Sequence, residues 1–341
     1  MGVLNPKINI KGKSFPSVQK LCKDILKGDR FALSKAITLI ESEHKDHKKL
    51  AKDLIGLCQN QNANTLRAGI TGAPGVGKST LLESLGLHIL SQGYKPAILA
   101  IDPSSNLTGG SILGDKTRML KLSTSPDAFI RPSPSGASLG GVAKKTRETV
   151  LLTEAAGFNP VFIETVGVGQ SETAVHSMTD LFILLIQPGA GDEIQGIKRG
   201  IMEMADIIVI NKADGNNMEK AKQTYAQYAN AIKLSAKKES GWNTEIMMVS
   251  AVENTGIDKL WETILKYEKT IKDNGYYLAN RKRQNIYWFE DYLYKNILAI
   301  LENNPSVKSK YRELRKKVEE GLMSPYDAGD MLLQLLTENL K

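Results

Sequence analysis

The sequence predicts an α/β fold, a core with a mostly parallel sheet flanked by helical arms at both ends. Three observations carry this reading. Short apolar runs alternate with helical stretches through the middle of the chain, and apolar residues near both ends recur at three- and four-residue spacing. Charge divides the same way. The net charge of +8 comes from twelve basic against six acidic residues over 1–65 and fourteen against eleven over 266–341, while 66–265 holds nineteen against twenty. With 341 residues, 41% of them hydrophobic, the chain is long and apolar enough for one large α/β domain with appendages and is not a disordered chain.

The N-terminal arm reads as helical over 17–60, with Val18, Leu21, Cys22 and Ile25, then Leu33, Ala36, Ile37 and Ile40, on buried faces. Gly28 breaks the first helix and Asp29 is placed to cap the second. Gln59 to Thr65 is polar and reads as a linker. Candidate strands follow at Leu66–Thr71, Ala97–Ile101, Val161–Thr165, Leu181–Gln187, Ile207–Ile210 and Ile246–Val249, with helices near 78–91, 141–156, 194–205 and 218–234. Buried strands alternating with helices are the pattern of a parallel sheet covered on both faces. From Ile257 the chain is helical again, through Arg281–Asn303, Val307–Glu320 and Pro325–Leu340. The expected division is a helical extension over 1–62, a nucleotide-binding domain over 63–272 and a helical arm over 273–341.

Composition excludes several function classes. Lys23, Lys27, Lys45, Lys48, Lys49 and Lys52 are spread over helical faces as solvated surface, unlike the focused basic surface of a nucleic-acid binder. The longest apolar run, Leu181–Ile186, is far short of the ~20 residues of a membrane helix. No apolar signal sequence opens the chain, its first arginine is Arg30, and the start lacks the Ser or Thr of a myristoylation signal. Two cysteines, Cys22 and Cys58, suit a reducing compartment. The expectation is a soluble cytoplasmic protein with neither nucleic-acid nor membrane partners.

The first core strand runs into Gly72-Ala73-Pro74-Gly75-Val76-Gly77-Lys78-Ser79-Thr80, a G-x-x-x-x-G-K-S phosphate loop between a strand and a helix. Glycines let backbone N–H groups curl around phosphates, and the helix N-terminus adds its positive end. Lys78 is expected to reach the β- and γ-phosphates, and the Ser79 hydroxyl to bind Mg²⁺. The core is therefore a P-loop NTPase.

Strand Ile207–Ile210 ends in Asn211-Lys212-Ala213-Asp214, an N-K-x-D sequence. A carboxylate at Asp214 accepts both guanine N1–H and the exocyclic amine at C2, whereas adenine leaves it unpaired in a buried site, which makes the discrimination steep. The Lys212 stem can lie along the base and Asn211 can tie this loop to the phosphate loop. The next strand ends in Val249-Ser250-Ala251-Val252, where a backbone N–H can meet guanine O6. GTP is the expected nucleotide, with GDP as product.

Strand Val161–Thr165 carries Glu164-Thr165-Val166-Gly167 where many GTPases have D-x-x-G. Gly167 N–H is expected at the γ-phosphate and Glu164 at Mg²⁺, directly or through water. Val168 follows this glycine instead of a water-orienting Gln, and Gln170 stands nearby as either a catalytic or a solvated residue. The second strand ends in Ile101-Asp102-Pro103-Ser104-Ser105, followed by a Gly- and Ser-rich stretch over 106–117 that is too long for a mere connector. Asp102 and Asp115 are candidates for the Mg²⁺ shell or for positioning water. A second glycine-rich stretch over 188–199 includes Asp192 and Lys198, readable equally as a helix cap with a solvated lysine or as a functional loop.

GAPGVGKST, AIDPSS, GGSILGDKTRM, RPSPSGASLGGVA, ETVGVGQSE, PGAGDEIQGIK and NKAD, in this order, resemble the methylmalonyl-CoA mutase-associated GTPases, the MeaB/ArgK family. The resemblance implies a homodimeric, Mg²⁺-dependent GTPase that chaperones an adenosylcobalamin-dependent acyl-CoA mutase, gating cofactor loading and protecting the mutase. It also implies Ser79, Asp102, Asp115 and Glu164 around Mg²⁺, and Lys198 with Asp192 in a mobile loop coupling partner binding to hydrolysis. Adenosylcobalamin enters only through the partner, with the cobalamin adenosyltransferase as a second partner, and the C-terminal arm supplies dimer contacts. Three rival readings are a nickel-delivery metallochaperone GTPase, a ribosome- or RNA-associated GTPase and a protein kinase. The core has no Cys and only His88 and His176 as soft ligands, its charge is near zero, and no H-R-D-x-x-x-x-N loop occurs.

Overall fold

The computed structural model describes residues 16–42, 44–59, 64–101, 119–132, 139–165, 171–189, 199–233 and 237–339. They fall into two compact units, one ending at Leu278 and the other beginning at Ala279. In the first unit, helices α1 (Val18–Leu26), α2 (Arg30–Glu41) and α3 (Lys45–Cys58) precede the sheet. The Ser17 hydroxyl caps α1 by accepting from Lys20 N, and Asp29 caps α2 by accepting from the N–H groups of Phe31 and Ala32 at 2.8 and 3.1 Å.

The sheet has seven strands, β1 (Arg67–Gly72), β2 (Ala97–Ile101), β3 (Phe129–Pro132), β4 (Val161–Thr165), β5 (Leu181–Ile186), β6 (Ile207–Ile210) and β7 (Glu245–Met248). Their spatial order is β3-β2-β4-β1-β5-β6-β7, and every pairing is parallel. The expected α/β class with a parallel sheet is thus the observed one. Strands β1, β4, β5 and β6 are buried throughout; β5 and β6 are accordingly apolar without alternation, while β1 and β4 carry polar residues only at their ends.

The connecting helices are α4 (Lys78–Ser91), α5 (Leu120–Thr124), α6 (Leu139–Ala155), α7 (Ser171–His176), α8 (Arg199–Met204), α9 (Met218–Lys233) and α10 (Ile257–Asp273). Ala68 and Ile70 of β1 join Leu81, Leu82 and Leu85 of α4 and Leu260 and Ile264 of α10 in one core layer. On the opposite face, Gly69 lets Val175 of α7 approach so closely that a Cβ there would lie 2.8 Å from its methyl. The N-terminal helices dock on β3 through an ion pair between Glu41 and Arg131, and Lys145 of α6 donates to the carbonyl of Glu41 at 2.9 Å.

Sequence reading misses β3, whose four residues include Pro132. A proline is tolerated there because β3 is an edge strand, where one N–H fewer breaks no ladder. It also misses the short helices α5 and α7, which hold too few turns to show a period. The second unit holds most of α11 (Tyr276–Asn303), which starts five residues before the expected Arg281, with α12 (Pro305–Glu319) and α13 (Pro325–Asn339). Asn304 caps α12 by accepting from Ser306 N at 3.0 Å, with Pro305 opening the helix where no N–H is required. Among the described residues no helix is long and apolar enough to cross a membrane.

Candidate functional site

Because every strand of the sheet is parallel, the loops after β1, β4, β6 and β7 leave the same edge, the usual place for a ligand in an open α/β sheet. The phosphate loop leaves β1 at Gly72. Three backbone positions there need glycine: Gly72, Gly75 and Gly77 have φ of 155°, 78° and 97°. Space imposes the same choice twice, since a Cβ on Gly72 would meet the carbonyl of Leu185 at 2.6 Å and one on Gly77 would meet Asn211 Nδ2 at 2.5 Å. Ala73, Pro74 and Val76 complete the turn, Val76 buried beneath it, and Thr80 lies in the first turn of α4.

Lys78 is only 7% exposed. Its ammonium donates to the carbonyls of Gly72 and Ala73 at 2.8 and 3.2 Å, across the mouth of the loop. Burial draws its pKa below the ordinary 10.5, and the charge of Glu164 acts in the opposite direction. Next to it, the Ser79 hydroxyl donates to Glu164 Oε1 at 3.1 Å, joining α4 to the end of β4. These are two hard oxygen ligands side by side, a donor set that fits Mg²⁺. Beneath them, Thr165 Oγ1 donates to Thr71 Oγ1 at 2.9 Å with both residues fully buried, a pair that no motif announces.

The N-K-x-D segment locks onto this loop. Asn211, 1% exposed, donates through Nδ2 to the carbonyl of Val76 at 2.9 Å and accepts through Oδ1 from Ala251 N at 3.3 Å. Lys212 takes a left-handed conformation, φ 60°, and its ammonium donates to the carbonyl of Gly75 at 2.6 Å. Asp214 Oδ2 accepts a hydrogen bond from the buried Ser250 hydroxyl, which also accepts from Glu253 N at 3.1 Å. The Ser250 N–H is committed to Thr255 O at 3.0 Å, while the long bond from Ala251 N leaves that donor open to a better acceptor. Val252 follows at the surface. Ser84 of α4, outside every motif, donates to the carbonyl of Ala251 at 2.6 Å.

The structure therefore brings together Gly72 to Thr80, Glu164, Asn211, Lys212, Asp214, Ser250, Ala251 and Val252. Asp102, Asp115, Gly167, Val168, Gln170, Asp192 and Lys198 lie outside the described residues. His88 sits in the last turn of α4 and His176 in that of α7, where its ring packs edge-on against Phe182.

Residues 33–306 match the family model described as "Methylmalonyl Co-A mutase-associated GTPase MeaB". This chain belongs to the MeaB family. It is a GTPase, as the names of its relatives agree. A probable GTPase of Mycobacterium tuberculosis is 44% identical over 319 residues, covering 94% of this chain and 95% of that one. GTPase ArgK of Escherichia coli is 43% identical, covering 87% and 90%. The mouse protein named "Methylmalonic aciduria type A homolog, mitochondrial" is 41% identical, covering 93% of this chain and 79% of its own length. A crystal structure titled as a LAO/AO transport system kinase matches with a TM-score of 0.77 at 34% identity, over 95% of this chain and all of that one. The MeaB family is named for association with methylmalonyl-CoA mutase.

Proposed function

We propose that this MeaB-family GTPase acts as a chaperone of an adenosylcobalamin-dependent acyl-CoA mutase, using GTP hydrolysis to gate cofactor loading and to protect or reactivate its client. The observation that carries the nucleotide half is the Asn211 side chain, which spans from the phosphate loop at Val76 to the base loop at Ala251. One amide thus sets the distance between a phosphate cradle and a base cradle.

In this reading, backbone N–H groups of Gly72 to Thr80 hold the α- and β-phosphates, and Lys78 exchanges its two loop carbonyls for β- and γ-phosphate oxygens. Asp214, oriented by Ser250, accepts from guanine N1–H and the C2 amine, and Ala251 N–H turns from Asn211 to guanine O6. Ser79 and Glu164 would hold Mg²⁺, with Asp102 and Asp115 as further oxygen donors; the ion, when bound, neutralises charge on the β- and γ-phosphates. Gly167 N–H meets the γ-phosphate.

The residue after Gly167 is Val168, which cannot orient water, so the isolated protein hydrolyses GTP slowly. Binding the mutase brings Asp115 or Lys198 to the nucleotide, and a group placed at the transition state in this way accelerates hydrolysis by ~10³ or more.

The homodimer is assigned to the C-terminal arm over 273–341. Ile286, Phe289, Leu293 and Ile297 recur at three- and four-residue spacing on α11, each at least 44% exposed, an apolar stripe of the kind that marks an interface. The cobalamin adenosyltransferase is the second partner, and the free thiols of Cys22 and Cys58 suit the cytoplasm. The deciding experiment measures GTP hydrolysis with and without purified methylmalonyl-CoA and isobutyryl-CoA mutases. Stimulation by one of them is expected; a rate unmoved by either, with no co-elution, overturns the chaperone reading.

A further inference from the structure

Hydroxyls within helices usually bond back to their own helix. Thr149, Thr153 and Thr224 do so here, donating to the carbonyls of Lys145, Thr149 and Lys220 four residues earlier. Ser84 on α4 behaves differently. Its hydroxyl reaches out of the helix to the carbonyl of Ala251 at 2.6 Å, across 167 residues of sequence. Ala251 is held from the other side by Asn211, which accepts its N–H at 3.3 Å. The residue is pinned at both of its backbone polar groups.

In a trans peptide the carbonyl and the following N–H point in opposite directions. The bond from Ser84 therefore fixes the plane of the Ala251–Val252 peptide, turning the carbonyl toward α4 and the Val252 N–H away from it. We propose that Ser84 is a specificity-determining residue of the GTPase, which excludes adenine by holding the Ala251 carbonyl away from the base. The inference rests on the reading of 211–214 and 250–252 as the base site.

The chemistry is a matter of donor and acceptor. Guanine presents a carbonyl at C6 and adenine presents an amine at the same position. A loop edge that offers only N–H groups pairs with the carbonyl and leaves the amine facing another donor. Releasing the Ala251 carbonyl supplies an acceptor for that amine and removes the penalty. Ser84 acts through the loop and does not touch the nucleotide, so it is a positioning residue. Asp214 reads different groups, N1–H and the C2 amine, and is unaffected by this peptide plane.

The test compares kcat/KM for GTP, ITP and ATP in the parent, Ser84→Ala and Ser84→Thr. In Ser84→Ala the GTP-over-ATP ratio should fall about tenfold, the value of one hydrogen bond, with the change carried by KM. The GTP-over-ITP ratio should hold, because inosine keeps the C6 carbonyl and lacks only the amine read by Asp214. Ser84→Thr, which retains the hydroxyl, should restore the parent ratio. A Ser84→Ala enzyme with the parent GTP-over-ATP ratio overturns the proposal. So does an equal fall in both ratios, which would mean a loosened loop. If Ser84→Ala does not fold, the isosteric pair Ser84→Val and Ser84→Thr makes the same comparison. A parent enzyme that does not distinguish GTP from ATP overturns the base-site reading itself, and Ser84's role with it.

Discussion

Both ends of the sheet bury charged groups, but they hold them in different ways. At the amino ends of the strands, Arg67 forms two hydrogen bonds of 2.6 Å with Glu154, both residues almost fully buried. Around them, Asp180 accepts from Arg67 N at 2.9 Å, and Asp206 accepts from Phe182 N at 2.9 Å and from Lys238 at 2.7 Å. Tyr267 and Trp242 close the layer by donating to the carbonyls of Asp180 and Asp206. At the carboxyl ends, the Lys78 ammonium rests on neutral carbonyls and Glu164 accepts from a hydroxyl. A buried charge held by a geometrically matched opposite charge fixes the fold. Lys78, held by two neutral carbonyls of the phosphate loop, can exchange them for a ligand. Burial of charge does not by itself mark a site; the partner's replaceability does.

The largest expected effect tests the carboxyl end. Lys78→Ala should reduce GTP hydrolysis by at least about a thousandfold, since the lysine's charge serves the transferred phosphate. Its thermal midpoint should stay within a few degrees of the parent's, because the buried charge goes with its bonds and leaves only two neutral carbonyls behind. Retained turnover in this variant, measured by phosphate release, would remove Lys78 from the mechanism. Asp214→Asn should follow, with kcat/KM for GTP lowered about a hundredfold and that for xanthosine triphosphate raised, because the new amide donates to a C2 carbonyl. A variant with the parent's nucleotide preference would show that Asp214 does not read the base.

The amino end should respond in stability and not in specificity. Arg67→Met leaves Glu154 buried without its bidentate partner, and breaking such a pair costs about 3–5 kcal/mol. The double variant Arg67→Met with Glu154→Leu should recover most of that loss in urea unfolding, since both charges are gone. Throughout, the GTP-over-ATP ratio should equal the parent's. A change in that ratio would break the contrast between the two ends.

Legibility in the sequence divides along a different line, between local and through-space chemistry. The phosphate loop and N-K-x-D are contiguous, and their glycine, lysine and carboxylate positions follow from backbone conformation and base edges. Strands β5 and β6 are equally legible, because a strand buried on both faces favours an unbroken apolar run, and β1 and β4 show the same run between polar ends. Of what joins these pieces, only the tie from Asn211 to the phosphate loop is legible, through the motif that carries it, and it lands on Val76, 135 residues away. Ser84 to Ala251 and Thr165 to Thr71 are separated by 167 and 94 residues, and no spacing rule reaches so far. Arg67 reads as the first residue of a strand, and nothing nearby in sequence names Glu154 as its partner. Edge strand β3 was hidden by Pro132, whose cost vanishes only once its edge position is known.

The smallest effect belongs to the boundary between the two ends, where Thr71 and Thr165 lie buried beneath the phosphate loop. Their hydroxyls serve each other, so the pair belongs to the core by its bonding and to the site by its address. Thr71→Val keeps the shape and removes one hydroxyl, leaving that of Thr165 to lose its acceptor at a cost of about 1–3 kcal/mol. Replacing both by Val removes the polar atoms together and should cost less than the single change, since two apolar groups of the same shape satisfy each other. Urea midpoints in that order assign the pair to the fold. If instead the double variant unfolds more easily than the single, and hydrolysis falls with it, the threonines hold Glu164 in place for Ser79. The partition of the sheet into a fixed amino end and an exchangeable carboxyl end would then begin one layer deeper than the phosphate loop.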